Sequence, residues 1–213
     1  DCDYVNTDVL LNRMSVKNGK IVLPDGMSYR ILYLQNCVSP KKEISEAVGN
    51  YQKLKVSSDP SRSMSLNVLK KIRELIKDGA TVIGAPPVRS AELENYPFGD
   101  EEVKRIASEI WGNLDGEKIT ERKFGKGRII WGKSAREVLQ NDSLKQDFSY
   151  QKQSIDPEKF DYIHRSLATC EIYFVINRTG NQVSDSFSFR VSGKLPEVWD
   201  PVTGEMKKVD AFT

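Results

Sequence analysis

Apolar residues recur at three- and four-residue spacing through residues 64–87, MSLNVLKKIRELIKDGATVIGAPP. Leu66, Leu69, Ile72, Leu75 and Ile76 fall on one stripe, with Lys70, Lys71, Arg73, Glu74 and Lys77 on the wet side, which predicts an amphipathic helix. Ser65 supplies an N-cap hydroxyl, and Gly79 stands where the chain must turn left-handed past the helix end. Residues 80–83 are a short apolar run with β-branched side chains, stopped by Gly84 and by Pro86-Pro87. A second apolar run, residues 29–34, lies upstream. Strand, helix and strand of these lengths predict a βαβ unit with parallel strands and a right-handed crossover.

The pattern extends that unit on both sides. Residues 4–14 read as a short strand or turn leading into a short helix, capped by Asn6 or Thr7, with Val9, Leu10 and Met14 inward. Asn18-Gly19 between β-formers predicts a hairpin over residues 15–23, and Pro24-Asp25-Gly26 a further turn. Residues 35–63 are long, polar and aperiodic, with a helical turn expected at 44–48. A second helix begins at Asp100, with Val103, Ile106, Ala107, Ile110 and Trp111 on its apolar face and Gly112 at its end. Residues 113–123 read as a polar connection turning at Asp115-Gly116, residues 127–132 as a strand, and Ser134 as the cap of a last helix ending at Leu139 or Gln140.

Residues 141–158 are polar and lose periodicity, so the domain boundary is expected there, near Asp156-Pro157, and beyond it the pattern changes. Residues 163–165 and 171–176 read as strands, 179–181 as a turn, and 183–191 as a strand with Phe187, Phe189 and Val191 on one face. Residues 197–199 and 206–209 flank a corner, Asp200-Pro201-Val202-Thr203-Gly204, where Pro201 stops the strand and Asp200 accepts backbone amides ahead of it. The expected fold class is α/β: an open, mostly parallel sheet with flanking helices over residues 1–150, then a small antiparallel β region, sandwich-like, over residues 156–213. The second region is short for an independent core.

Composition narrows the function classes. The 213 residues are 38% hydrophobic and 29% charged, ordinary for a globular chain, with a formal net charge of +2 and no dense basic run. This argues against a dedicated nucleic-acid binder. No apolar stretch approaches the roughly 20 residues that span a bilayer, so no membrane partner is expected. The opening Asp1-Cys2-Asp3 lacks an initiator Met and a signal peptide, which reads as a processed product or as a piece cut from a longer polypeptide, and the early first apolar segment favours the cut piece. Cys2, Cys37 and Cys170 are far apart and His164 is the one histidine, so a zinc site is not expected. Reduced cysteines used for packing are the simplest reading, and a Cys2–Cys37 disulfide requires export.

Candidate chemistry is thin. Gly125-Lys126-Gly127-Arg128 lacks phosphate-loop spacing and precedes a strand, so it reads as a turn. Ser90 and Ser134 lack the glycines of a nucleophile elbow. A Cys37–His164 pair would join two different domains. Asp100, Glu101 and Glu102 suit a helix N-terminus, and Asp156, Glu158 and Asp161 read as solvated. Trp111, Trp131 and Trp199 suit core packing better than sugar platforms. No catalytic, cofactor-binding or metal-ligating residue is assigned.

Several stretches together resemble one family. Residues 3–11 (DYVNTDVLL), 22–30 (VLPDGMSYR), 78–84 (DGATVIG), 87–90 (PVRS), 125–132 (GKGRIIWG), His164-Arg165, 172–175 (IYFV) and 199–204 (WDPVTG) are similar to the region after the catalytic barrel of α-L-rhamnosidases of glycoside hydrolase family 106. The resemblance implies a glutamine-amidotransferase-like or flavodoxin-like α/β domain, without amidotransferase chemistry, followed by the start of a β-sandwich. It implies that the catalytic glutamates and any calcium site lie in an upstream barrel of the same polypeptide, which would be this region's partner, with carbohydrate as a possible ligand. It also implies a periplasmic or secreted protein and no cofactor in this region. The 35–63 insertion departs from the family pattern. The competing expectations are a stand-alone α/β module binding a small molecule or carbohydrate, or an enzyme, with its pocket beside Leu34 and Gly84, and a sugar-binding module using exposed tryptophans.

Overall fold

A computed structural model describes residues 2–34, 62–92, 96, 98–150, 159–209 and 212. Most of the 35–63 insertion, its expected helical turn, Cys37, Asp156 and Glu158 lie outside those residues. The chain divides into two compact units, Asp1–Asp142 and Ser143–Thr213.

In the first unit Asn6 caps α1 (Thr7–Asn12) by accepting the Val9 amide at 2.9 Å, and Leu10 is buried. β1 (Ser15–Lys17) and β2 (Lys20–Val22) form the hairpin, and Asn18 and Gly19 take φ of 53° and 73°, the left-handed pair that a type I′ turn needs. β3 (Ser28–Tyr29) adds to β2, whereas β4 (Ile31–Tyr33) belongs to the central sheet. The run at 29–34 is therefore two strands broken at Arg30, not one. Continuous apolarity concealed the break, because each half turns side chains into the core.

β5 (Ser63–Met64) leads into α2 (Leu66–Asp78), where the Ser65 hydroxyl accepts the Val68 amide at 3.3 Å and the Gly79 amide closes onto the Ile76 carbonyl. β6 (Thr81–Ile83) and β7 (Arg89–Ser90) follow. α3 (Phe98–Trp111) starts two residues before Asp100, whose carboxylate instead accepts the Ser90 amide at 2.7 Å and ties β7 to the helix's first turn. Then come β8 (Glu121–Phe124), β9 (Gly127–Ile130) and α4 (Ala135–Asn141), the last capped by a reciprocal Ser134–Glu137 box. β8 falls in the expected polar connection. It is an edge strand whose residues alternate exposed and half-buried, so its polar character fits its place.

The central sheet runs β4-β6-β9-β8, with the first three strands parallel and β8 antiparallel. Alternation distributes its faces. Leu32, Val82 and Ile129 join Leu69, Ile72 and Ile76 of α2 and Val103, Ile106 and Ile110 of α3 in one core. Ile83 and Ile130 point the other way and meet Val138 of α4. Glu109 of α3 accepts Arg73 and Lys77 of α2 at 3.2 and 3.3 Å, and Arg122 donates to the Glu109 and Ile110 carbonyls, capping α3. Among the described residues the expectation of a mostly parallel sheet is met in these three strands, and one further parallel pair, β5 with β7, forms a separate two-stranded sheet. The chain as a whole is a set of small mixed sheets with few helices, and antiparallel pairings outnumber parallel ones.

The second unit holds β10 (Phe148–Tyr150), β11 (Phe160–Ser166), β12 (Glu171–Asn177), β13 (Phe187–Phe189), β14 (Glu197–Trp199) and β15 (Met206–Lys208). They pair antiparallel as three ribbons, β10 with β13, β11 with β12 and β14 with β15. The first two ribbons meet through aromatic rings, with centroids 5.0 Å apart for Phe148–Tyr162, 4.9 Å for Phe160–Phe187 and 4.8 Å for Tyr173–Phe189. The strand expected over 183–191 shortens to Phe187–Phe189. Phe148–Tyr150, expected in the first domain, pairs in the second unit, so the division falls at Asp142 and not near 150.

Candidate functional site

Open α/β sheets bind ligands beyond the carboxyl ends of their parallel strands. Here Leu34 and Gly84 mark those ends, and both are buried. The Gly84 carbonyl accepts the Trp111 indole N–H at 2.7 Å, and its amide donates to the Ile130 carbonyl at 2.8 Å. Past β9, a Cβ on Gly132 would lie 1.9 Å from the Gly116 carbonyl, and one on Gly116 would lie 2.8 Å from the Trp131 ring. The 115–119 loop therefore lies directly against this edge. Asp115 Oδ1 holds it by accepting the amides of Glu117, Lys118 and Ile119 at 2.8, 2.8 and 2.9 Å, and these bonds, Glu117's first, keep the carboxyl below its ordinary range. Of the place where the sequence suggested a pocket, the Gly84 side is closed by the Trp111 indole, while the loop abuts the end of β9.

The other marked residues are accounted for locally. Gly125-Lys126 makes the β8–β9 turn, the Lys126 amide donates to the Lys77 carbonyl at 2.9 Å, and a Cβ on Gly127 would lie 2.3 Å from the Ala80 carbonyl. Those glycines serve close backbone approach to the end of α2. The Ser90 hydroxyl accepts the Glu92 amide and Ser134 is a helix cap, so neither is set up as a nucleophile. Cys2 is exposed rather than packed, and Cys170 is half-buried.

Among the described residues, the densest group of titratable side chains lies in the second unit and centres on His164. Its Nδ1 is 2.9 Å from Asp147 Oδ2, its Nε2 is 3.0 Å from Glu171 Oε2, and its ring stacks on Tyr173 at 4.0 Å. Tyr173 donates its hydroxyl to Asp147 Oδ1 at 3.0 Å, Arg190 donates to the same oxygen at 3.2 Å, and Lys194 donates to Glu171 Oε1 at 3.2 Å. The register explains the gathering: His164 is the partner of Tyr173, and Glu171 follows two positions along the same face. Hydrogen bonds from Ser166, then His164 and Lys194, hold Glu171 down to about 2, while burial and then Asp147 push Tyr173 up to about 12.

This group resembles a catalytic triad only in part. Both imidazole nitrogens face carboxylates, and only a doubly protonated ring donates to both. The hydroxyls at this group, those of Tyr173 and Ser166, are hydrogen-bonded to Asp147 and Glu171, and both carboxylates also serve cations. The arrangement ties the β10–β13 ribbon to the β11–β12 ribbon. The sequence reading missed Asp147, Glu171, Tyr173, Arg190 and Lys194 because it sought metal ligands near His164. The strand alternation of His164 with Glu171 and Tyr173 was the available signal.

The three tryptophans separate. Trp111 is 1% exposed and Trp131 half-buried, but Trp199 is 67% exposed, its indole N–H donating to Glu197 Oε2 at 3.2 Å. Core packing is thus overturned for Trp199: nothing covers its ring among the described residues. The corner beside it forms as expected, with Asp200 Oδ1 accepting the Val202 and Thr203 amides and Gly204 at φ 75°.

Comparisons with known proteins all point to glycoside hydrolases. The family described as alpha-L-rhamnosidase, glycoside hydrolase family 106, matches residues 1–213. A protein of Formosa agariphila named "Putative beta-glucuronidase" is 32% identical over 208 residues, 98% of this chain and 14% of that protein. The solved structure of a rhamnosidase from Novosphingobium sp. PP1Y superposes with a TM-score of 0.74 at 26% identity, over 97% of this chain and 17% of that one. The chain thus spans a small fraction of the length of the relatives it matches.

Proposed function

The chain belongs to the alpha-L-rhamnosidase family, glycoside hydrolase family 106, and from that premise we propose that it is a non-catalytic structural region of a multidomain glycoside hydrolase. The observation that carries this reading is coverage: nearly all of this chain aligns with 14% of one relative and 17% of another. In this reading a catalytic barrel elsewhere in the parent polypeptide performs the hydrolysis, and α-L-rhamnosides are its substrate class. The two relatives carry names for different sugars, so the substrate class follows the family. The first unit acts as a glutamine-amidotransferase-like scaffold, and the Trp111 indole on Gly84 supports a scaffold without a ligand edge. The second unit is the start of a β-sandwich. In this reading the parent protein works in the periplasm or outside the cell, as the family resemblance implies, and fractionation of the producing cells tests it.

The test of the non-catalytic role is direct. The purified 213-residue chain is incubated with an aryl α-L-rhamnoside, beside the longer polypeptide encoded around it. Release of the aryl group by the longer polypeptide alone is expected. Turnover that follows the isolated chain through purification overturns the reading.

One observation favours carbohydrate contact as a second reading: the open ring of Trp199. Sugar faces stack on exposed indoles. Quenching or shifting of tryptophan emission by L-rhamnose, lost in Trp199→Ala, would support it.

A further inference from the structure

The β11–β12 ribbon has two faces of opposite character. One face carries Phe160, Tyr162, His164, Glu171 and Tyr173, and it is the covered one, meeting β10 and β13 through rings and the Asp147 bonds. The other carries Ile163 paired with Phe174, flanked by Ile172 and Ile176. These four side chains belong to residues between 43% and 51% exposed. A ribbon that ended its structure here would place its ionisable groups in water and its isoleucines inside. This one does the reverse.

We propose that the Ile163–Ile172–Phe174–Ile176 face is a docking surface for a second β-sheet of the parent polypeptide, laid across it to complete a two-layer sandwich. The inference rests on the functional reading above. Four considerations select that occupant. Side chains of this kind on a pleated face interdigitate with another sheet at about 10 Å spacing. Four half-exposed side chains offer far less than the roughly 800 Å² per partner of a stable complex between separate chains. A partner on the same polypeptide avoids that requirement, because its effective concentration is high. And the relatives extend well beyond the aligned region, as the 14% and 17% coverages show. The rim argues against a lipid surface: Asp161 and Arg165 flank Ile163 with opposite charges, and no basic cluster accompanies them.

Hydroxyl-radical oxidation followed by mass spectrometry reads the face without any substitution. Phe174 and Ile176 are expected to oxidise readily in the 213-residue chain and several-fold more slowly in the longer polypeptide, with Phe148 slow in both. Equal rates of Phe174 oxidation in the two proteins would sink the docking proposal while leaving the multidomain reading intact. A gene product that extends no further than this chain would overturn both. The double variant Ile163→Ser/Phe174→Ser gives a second measurement. It should leave the thermal midpoint of the 213-residue chain unchanged or raised, and lower that of the longer polypeptide. A dimer of the 213-residue chain that this variant turns into monomer would show that a second copy, not a second sheet, covers the face.

Discussion

The two units use apolar residues in similar proportion and treat them differently. In the first, Leu69, Ile72, Ile106, Ile110 and Ile129 are each 0% exposed. In the second, among the described residues, Phe148 is the one large hydrophobic in the core, while Ile163, Ile172, Phe174 and Trp199 stand open. The cause is architectural. A sheet with helices on both faces closes its own interior, since α2 and α3 take one side and α4 the other. A two-stranded ribbon has two faces and nothing of its own to cover the second. Stability in the first unit should therefore respond to core truncation, and stability in the second to polar ties and to whatever lies upon it.

The largest effect should come from Trp111→Ala. The indole is buried and its N–H satisfies the Gly84 carbonyl. Loss of a large aromatic core side chain costs about 3–5 kcal/mol. Urea unfolding followed by far-UV circular dichroism measures it. A midpoint shift equivalent to under about 1 kcal/mol would show that the first unit is not the better-packed one. Leu69→Ala and Ile72→Ala should follow at roughly 2–5 kcal/mol each, nearer the lower end if the helix can settle onto the gap.

The third expectation separates the units by pH. Glu171 titrates at about 2 instead of 4.5, so its stabilisation is fully present above 4.5 and is lost as pH falls from 4.5 through about 2. Tyr173 titrates at about 12 instead of 10, so its contribution is present below 10 and disappears as pH rises through about 12. Thermal melts of the second unit should weaken at both extremes. Glu171→Gln should flatten the acid limb and Tyr173→Phe the alkaline one. Unchanged limbs in these variants would mean that the His164 group does not tie the ribbons together.

What was legible in the sequence was mostly local. The Ser65 and Ser134 caps, the Asn18-Gly19 turn and the Asp200 corner each depend on residues within four positions, and each formed as read. The parallel pairing of the strands around α2 was also legible, because helix length leaves few other topologies. What failed was non-local. Whether the run at 29–34 serves one sheet or two depends on which strands approach it, and nothing within the run records the break at Arg30. β8 was missed because an edge strand needs little apolar character. Asp147 reaches His164 across 17 positions and Arg190 reaches Asp147 across 43, distances at which spacing says nothing. The same limit placed the boundary at 150: the pairing of Phe148–Tyr150 with Phe187–Phe189 moves those residues into the second unit.

The smallest effect should come from Trp199→Ala, and it completes the comparison with Trp111. The two side chains have the same area to bury, yet one is 1% and the other 67% exposed. Trp199 sits on β14, where its N–H is taken by the carboxylate of Glu197, two positions back on the same face. Removing it gives up one exposed hydrogen bond and little buried area, so stability should change by no more than about 0.5 kcal/mol, the range of unremarkable surface substitutions. The hairpin should persist, because the Asp200 corner and the β14–β15 pairing do not involve the ring. Paired urea titrations of Trp111→Ala and Trp199→Ala in the 213-residue chain measure the contrast. If Trp199→Ala cost as much as Trp111→Ala, the second unit would already bury that ring against its own residues. The division between a self-sufficient α/β unit and an uncovered β unit would then fail.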